Sequence, residues 1–377
     1  MKILQVNASY KPAYIYGGPT MSVSMLCEQL AKAGHQIMVF TTTANGAAEL
    51  PVLTNKPVNV GGVSVRYFKR ITKDHSHFSP QLLKALWKDV INHDVVHIHA
   101  WWNLVSVLSC AIALARKVPV VLSPRGTLSA YSLSNKSVGK KEIMQSFGGR
   151  KLLQKCYIHV TSGAEEKAIE EILKPKSVTC IPNFIKLAAE IPIAKRETQS
   201  YLKLLFFSRI EEKKGLDILL KALPLLTVPY HLTIAGHGDK TYIESLKQLV
   251  DGTTTNKISW IGFQDENKFD IFYQHDLMIL PSHNENFGNV VIESLSVGTA
   301  VLISEGVGLA DYVNGNNLGW VCRADINEIS NFINRIPEKL TELESIRQFA
   351  PGKILHDFNE NNLVKEYIDM YTKIINV

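Results

Sequence analysis

In the second half of the 377-residue chain, Phe206-Phe-Ser-Arg209-Ile-Glu-Glu-Lys-Lys214-Gly215-Leu-Asp sets two cations between a strand-like run and a helix-like one. The Arg209 guanidinium offers a planar fork to phosphate oxygens, and Lys214 adds a point charge. Together they suit a diphosphate leaving group, whose charge grows in a transition state. A solvated charged turn has the same spacing. Further on comes Leu280-Pro-Ser-His-Asn-Glu285-Asn-Phe-Gly288-Asn-Val-Val-Ile-Glu293-Ser-Leu-Ser-Val-Gly298-Thr. It ends a strand, crosses a loop and enters a helix near Gly288. Glu285 falls in the loop and Glu293 inside the helix. A carboxylate accepts hydrogen bonds and donates none, so it suits paired hydroxyls. The backbone N–H groups at the helix start suit phosphate. Two unrelated exposed glutamates would share this spacing.

The first half carries its own candidates. His97 and His99 alternate on a strand, and Trp101-Trp102 follow. One histidine reads as a hydrogen-bonded core residue, assigned to His97. The tryptophans read equally as core anchors or as a stacking surface for a sugar. Arg125, at the end of the fifth predicted strand, suits either an acceptor phosphate or a local carboxylate. No third ligand stands near the histidines at a spacing that suits zinc, and there is no Asp-x-Asp pair to hold a metal-bound diphosphate.

The elements that must position these residues alternate strand and helix. Apolar runs at 3–7, 36–41, 63–68, 95–99, 118–123, 157–161 and 178–181 precede a second series at 202–207, 231–235, 258–261, 277–280, 300–304 and 320–322. Patterns such as 22–33, 217–226 and 290–297 are helical by length and period. This alternation predicts parallel sheets covered on both faces. Thirteen strands exceed one open sheet, so two doubly wound domains are expected. The stretch Pro182–Ser200 is the linker candidate. The expected domains are 1–185 and 186–360; the final helix over 361–377 suits packing on either domain and is assigned to the first. Strands of such sheets end in a ligand crevice, and facing crevices would make a cleft for two substrates.

Charge separates the halves. Met1 to Ile185 holds 22 Lys+Arg against 10 Asp+Glu, and Lys186 to Val377 holds 19 against 25. A basic half suits a phosphorylated substrate or an anionic membrane. Lys136, Lys140, Lys141, Arg150, Lys151 and Lys155, interleaved with Val138, Ile143, Met144, Phe147 and Leu152, read as an amphipathic segment on a membrane surface or as an exposed helix pair. Gly148-Gly149 interrupts it. Apolar residues at 46% and charged at 20% exclude a mostly disordered chain. The uncharged window Val95–Ala115 contains two histidines and an asparagine, so it reads as a strand and helix and not as a membrane span. Met1-Lys2 leads directly into a strand, with no secretory leader. Five widely spaced cysteines without C-x-x-C predict a reduced, cytoplasmic setting. No G-x-G-x-x-G follows the first strand, which argues against an NAD-linked oxidoreductase. No recognition motif accompanies the basic charge, so nucleic acid is not an expected partner.

Taken in register, these motifs resemble family 4 of the retaining glycosyltransferases, of GT-B architecture. The resemblance rests on Glu285-x7-Glu293 with Gly298-Thr299, and on Arg209-x4-Lys214-Gly215. Gly17-Gly18 at the first helix, Asp94-Val-Val-His-x-His99 and Ile181-Pro-Asn183 complete it. The segment Ser123-Pro-Arg-Gly-Thr, with Ile158-His-Val-Thr-Ser, is similar to a subgroup associated with bacterial surface polysaccharides.

The resemblance implies a metal-independent hexosyltransferase with no cofactor, using a nucleotide-diphosphate sugar of UDP or GDP type. Arg209 and Lys214 would bind the diphosphate and Glu293 the ribose. Glu285, with the N–H groups of Asn286, Phe287 and Gly288 and neighbouring Asn289, would hold the transferred sugar. Gly262-Phe263 would lie against the base, and Gly17-Gly18 would approach the donor from the other domain. His99 would contact the sugar near its reacting carbon. The basic domain, through Arg125, Trp101 and Trp102, would take a lipid-linked or oligosaccharide acceptor, with peripheral contact to an anionic membrane. Asn286 stands where the family usually has glycine, and Trp101-Trp102 where many relatives have smaller residues. Two alternatives remain: a nucleotide-sugar epimerase of the same architecture, and a non-catalytic sugar-nucleotide sensor.

Overall fold

A computed structural model of the chain describes residues 1–129, 148–188, 200–250, 252–255 and 257–377. Contacts divide it into two compact units, Met1–Ile185 with Glu360–Val377, and Lys186–Asn359. Residues 189–199 of the linker candidate, and 136–147 of the basic segment with Lys136, Lys140 and Lys141, lie outside the described residues.

The first unit is built on β1 (Lys2–Asn7), β2 (Gln36–Thr42), β3 (Ala44–Asn45), β4 (Ala48–Glu49), β5 (Pro57–Val60), β6 (Val63–Phe68), β7 (Val95–His99), β8 (Val120–Ser123), β9 (Tyr157–Val160) and β10 (Ser177–Cys180). Eight of them form one sheet in the order β10-β9-β8-β7-β1-β2-β6-β5. The central strands β7 and β8 are buried along their whole length, as expected for parallel strands covered on both faces. Alternate residues feed two cores. Leu4, Val6, Val96 and Ile98 pack toward helices Pro80–Asp89 and Leu104–Ala115. Ile3, Val39 and Val95 pack with Val23, Leu26 and Leu30 of helix Gly18–Lys32 and with Tyr367 and Tyr371 of the last helix, Glu360–Ile375. Side-chain caps start several helices: Asn103 accepts from Ser106 N–H at 2.8 Å, and Ser162 from Glu165 N–H at 3.2 Å.

The second unit holds β11 (Leu202–Phe207), β12 (Tyr230–Ala235), β13 (Ile258–Gly262), β14 (Leu277–Leu280), β15 (Ala300–Ser304) and β16 (Gly319–Cys322), all parallel, in the order β13-β12-β11-β14-β15-β16. Each sheet therefore reverses its winding once, between β1 and β7 in the first unit and between β11 and β14 in the second. Those are the points at which open parallel sheets leave a crevice at the strands' carboxyl ends.

One departure from the all-parallel expectation lies at an edge. β5 runs antiparallel to β6 through the Gly61-Gly62 turn, and β3 and β4 form a small antiparallel pair. These strands are short and largely half-buried or exposed, so no continuous apolar run marks them in the sequence. Pro57, which lacks an N–H, is tolerated at such an edge. The uncharged window at 95–115 is β7 followed by helix Leu104–Ala115. Among the described residues, no helix is long and apolar enough to cross a membrane.

Candidate functional site

In the second unit, Arg209, Lys214 and Gly215 leave β11 while Glu285 through Glu293 leave its neighbour β14, so both motifs border the same switch point. The two loops are locked together. Lys213 O accepts from His283 N–H at 2.9 Å. Gly215 sits at φ 69°, and any Cβ there would drive into the carbonyl oxygen of Pro281, so the glycine permits the loops to touch. Glu285 is braced from the far side: its N–H donates to Gly306 O at 2.8 Å and its carbonyl accepts from Gly308 N–H at 2.7 Å.

The result is an ion pair between Lys214 and Glu285. Lys214 is only 7% exposed. Burial first, then the adjacent Lys213 and Arg209 charges, push its ammonium down to about 7, against the pull of Glu211. Arg209 lies at the rim and pairs with Glu211 at 2.8 Å. Glu293, on helix Asn289–Leu295, receives Lys268 Nζ on Oε1 at 2.9 Å; both side chains are mostly buried. Gly288 starts that helix at φ 98°. Phe287 is buried against Phe358, while Asn286 and Asn289 are half-buried. At the end of β13, Gly262 turns at φ 70° and leaves Phe263 66% exposed, edge-on to His237 at 5.3 Å.

Two contributors escaped the sequence reading. Lys268 has no local motif, because its partner is 25 residues away on another helix. Gly236 and Gly238 form a G-x-G without the third glycine of G-x-G-x-x-G. Their absent side chains instead let the loop after β12 press on the Ser208 and Ile210 carbonyls, on either side of Arg209.

In the first unit, the switch point lies beside a buried polar chain. Gly17 closes a turn at φ 64° and Gly18 opens helix Gly18–Lys32. Arg125, at φ 53° just past β8, donates from Nε to His99 Nδ1 at 3.3 Å and from Nη1 to Ser22 Oγ at 3.2 Å and Asn183 Oδ1 at 2.8 Å. His99 Nε2 meets Gln5 Oε1 at 2.8 Å. Gln5 Nε2 reaches Tyr371 Oη at 3.4 Å, which meets His97 Nδ1 at 2.6 Å. Ser123 Oγ bridges His97 Nε2 and His159 Nδ1 at 2.6 Å each, and His159 Nε2 reaches Ile181 O at 2.9 Å. Burial, reinforced by mutual repulsion and by Arg125, holds His97 and His99 well below the usual imidazole range; burial and Arg125 push His159 down to about 3. All three are neutral near pH 7.

Two expectations change here. His99, expected to contact a sugar, is 1% exposed, and both its ring nitrogens are engaged, by Gln5 and by Arg125. Trp101 is fully buried in the core cluster, leaving no face for a sugar. Trp102 is half-buried and its indole N–H donates to Thr127 O, which orients the ring from within. His97 is a core residue hydrogen-bonded on both nitrogens. Among the described residues, no cluster of three His, Cys, Asp or Glu is placed to hold a metal ion.

Residues 16–189 match the family model Glycosyltransferase Family 4, and residues 189–351 match Glycosyl transferases group 1. An uncharacterized glycosyltransferase of Methanocaldococcus jannaschii is 25% identical, covering 98% of each chain. A glycogen synthase of Mycobacterium tuberculosis is 26% identical over 98% of this chain and 94% of its own. Among solved structures, Anabaena HepE in complex with UDP and glucose superposes with a TM-score of 0.75 at 18% identity, covering 99% of this chain and 100% of that one. The chain therefore carries a Glycosyltransferase Family 4 domain followed by a Glycosyl transferases group 1 domain, and is a glycosyltransferase of GT-B fold.

Proposed function

We propose that the protein is a retaining glycosyltransferase that moves a hexose from a UDP- or GDP-sugar to a lipid-linked or oligosaccharide acceptor in surface-polysaccharide synthesis, at the cytoplasmic face of a membrane. The observation that carries the reading is the pairing of Lys214 with Glu285 at the β11/β14 switch point, with Arg209 and Glu293 on the same two chain segments. An ammonium and a carboxylate that face each other across a crevice can exchange that contact for opposite ends of a sugar diphosphate. Lys214 and Arg209 would take the phosphates, and Glu285 the sugar hydroxyls.

Glu293 keeps Oε2 for a ribose hydroxyl while Lys268 fixes Oε1. Phe263, exposed beside His237, supplies an aromatic face for the base. The donor assignment gains support from HepE, whose structure holds UDP and glucose.

In this mechanism the acceptor hydroxyl attacks the face from which the nucleotide leaves. The departing phosphate oxygen takes the hydroxyl proton, so no separate base is required. The two cations stabilise the charge that develops on that phosphate. The acceptor falls to the basic first unit.

A panel of UDP- and GDP-sugars, screened by thermal shift, identifies the donor because a specific ligand raises the melting temperature by mass action. Transfer with the hit, followed by proton NMR of the product anomer, is expected to show retained configuration. An isomerised nucleotide-sugar without acceptor would mean an epimerase. Binding with no nucleotide release for any acceptor would mean a sensor.

A further inference from the structure

We infer that Arg125 seats a phosphate group carried by the acceptor, and that a one-way hydrogen-bond chain through three buried histidines holds it there. This rests on the reading of the first unit as the acceptor unit.

The other cations tied to side chains nearby show what a structural role looks like in this fold. Lys11 pairs with Glu28 at 2.6 Å, Arg66 with Asp89 at 2.9 Å, and Arg70 with Glu49 at 2.7 Å. Arg70 is 8% exposed and also donates to the Gly46 and Ala48 carbonyls. Arg125 is treated differently. Its contacts are an imidazole nitrogen, a hydroxyl and an amide oxygen, all neutral. Among the described residues no carboxylate pairs with it, and its Nη2 makes no hydrogen bond. Glu165 comes near but is committed elsewhere. Its Oε1 accepts from Gly126 N–H at 2.7 Å, and its Oε2 from the Thr161 N–H at 2.9 Å and hydroxyl at 3.1 Å. A guanidinium stays protonated even when partly buried, so the charge persists with no carboxylate bonded to it, Glu165 acting only from a distance. Arg125 also holds a left-handed backbone conformation that non-glycine residues seldom adopt, which its surroundings must impose. A phosphate oxyanion is the group that a forked guanidinium with no bonded carboxylate at a strand end fits.

The chain behind it has a fixed direction. Arg125 can only donate, so His99 Nδ1 accepts, and His99 Nε2 carries the proton given to Gln5 Oε1. At the far end His159 Nε2 faces Ile181 O at 2.9 Å and Tyr367 Oη at 3.0 Å; the carbonyl can only accept, so Nε2 carries the proton, the Tyr367 oxygen accepts a share of it, and Nδ1 accepts from Ser123. Ser123 then accepts from His97 Nε2, and His97 Nδ1 accepts from Tyr371. Tyr371 in turn accepts from the Gln5 amide, which closes the order. Both ends dictate the same tautomer for all three rings. Protonating His99 at Nδ1 would set two donors face to face with Arg125, whereas the hydroxyls of Ser123 and Tyr371 could turn to accept from the other two rings. Tyr371, on the C-terminal helix, is thus a positioning residue for Arg125.

The test uses the intact protein and a pair of acceptors that differ only by a phosphate on the saccharide. Wild type is expected to prefer the phosphorylated acceptor by at least about tenfold in kcat/KM, as a charge-assisted contact supplies. Arg125→Gln should bring that ratio near one while UDP affinity holds, and Arg125→Lys should restore part of it. Tyr371→Phe should lower the ratio through KM for the phosphorylated acceptor. Titration with inorganic phosphate is expected to show binding to wild type that Arg125→Gln loses. Equal preference in wild type overturns the inference, as does loss of UDP affinity in Arg125→Gln, which would assign Arg125 to the donor phosphate. If no nucleotide-sugar supports transfer, the functional reading fails. Phosphate titration then decides the seat alone: binding lost in Arg125→Gln supports it, and absent binding refutes it.

Discussion

At the β11/β14 switch point, Lys214 faces Glu285, Lys268 faces Glu293 and Arg209 faces Glu211. At the β1/β7 switch point, one guanidinium stands among neutral imidazoles, hydroxyls and amides. The second unit's switch point keeps these charges in couples: Lys214 and Glu285 can trade their contact for a ligand's phosphate and hydroxyls, while Lys268 holds Glu293 in place. At the first unit's switch point, among the described residues, the Arg125 charge is bonded to no carboxylate, and buried polar groups aim it. The same crevice geometry can therefore serve two kinds of chemistry: charge exchange where the ligand is a leaving group, and rigid orientation where the ligand must only be placed.

The largest effect should come from removing the exchanging cations. Arg209→Ala and Lys214→Ala are each expected to lower turnover of the nucleotide-sugar by about 10²–10³-fold, the scale of losing a preorganised donor to a developing anion. Near-normal turnover in both, measured by nucleotide release, would break the contrast between the units.

A second effect separates the units by pH. His97, His99 and His159 have folded-state pKa values below the unfolded value, so the unfolded chain binds more protons in acid. Their contribution is present above about 6.5 and is lost as pH falls through their depressed folded-state values, about 3 for His159. Lys214 is also depressed, to about 7, but its slope lies between about 7 and 10.5, outside the acid window. Hydrogen exchange read by mass spectrometry at pH 7 and 5 should show the first unit loosening before the second, around β7, β8, β9 and the C-terminal helix. Simultaneous loosening would remove the distinction.

The smallest effect concerns the ribose couple. Glu293→Ala should weaken nucleotide binding by about tenfold or more, as expected for a lost hydrogen bond to a charged group. Lys268→Met should reduce the preference for UDP over its 2′-deoxy analogue while leaving the protein folded. Unchanged titration of both nucleotides would remove Glu293 and Lys268 from the ribose assignment.

The alternation of strands and helices was legible because central parallel strands are continuous apolar runs, as in β7 and β14. The edge strand β5 was not, since a half-exposed four-residue strand leaves no such run. The Arg-x4-Lys-Gly and Glu-x7-Glu motifs could be read because each is local in sequence. That Lys214 would meet Glu285 across 71 residues depends on β11 and β14 being neighbours, which local spacing does not encode. The sugar contact expected of His99 came from the resemblance carried by Asp94-Val-Val-His-x-His99, not from its own neighbours in the chain. The burial of His99 follows from Gln5 and Arg125, residues far apart in the chain. Tyr367 and Tyr371 line one face of a helix whose partner could not be read from its own sequence.

Calorimetric titration of uridine and UDP, or guanosine and GDP if the donor screen selects them, into wild type and the Arg209→Ala/Lys214→Ala double variant tests the central claim most directly. The account predicts that wild type binds the diphosphate more tightly than the nucleoside, and that the double variant loses this advantage while nucleoside affinity holds. A double variant that retains the full diphosphate advantage would contradict it.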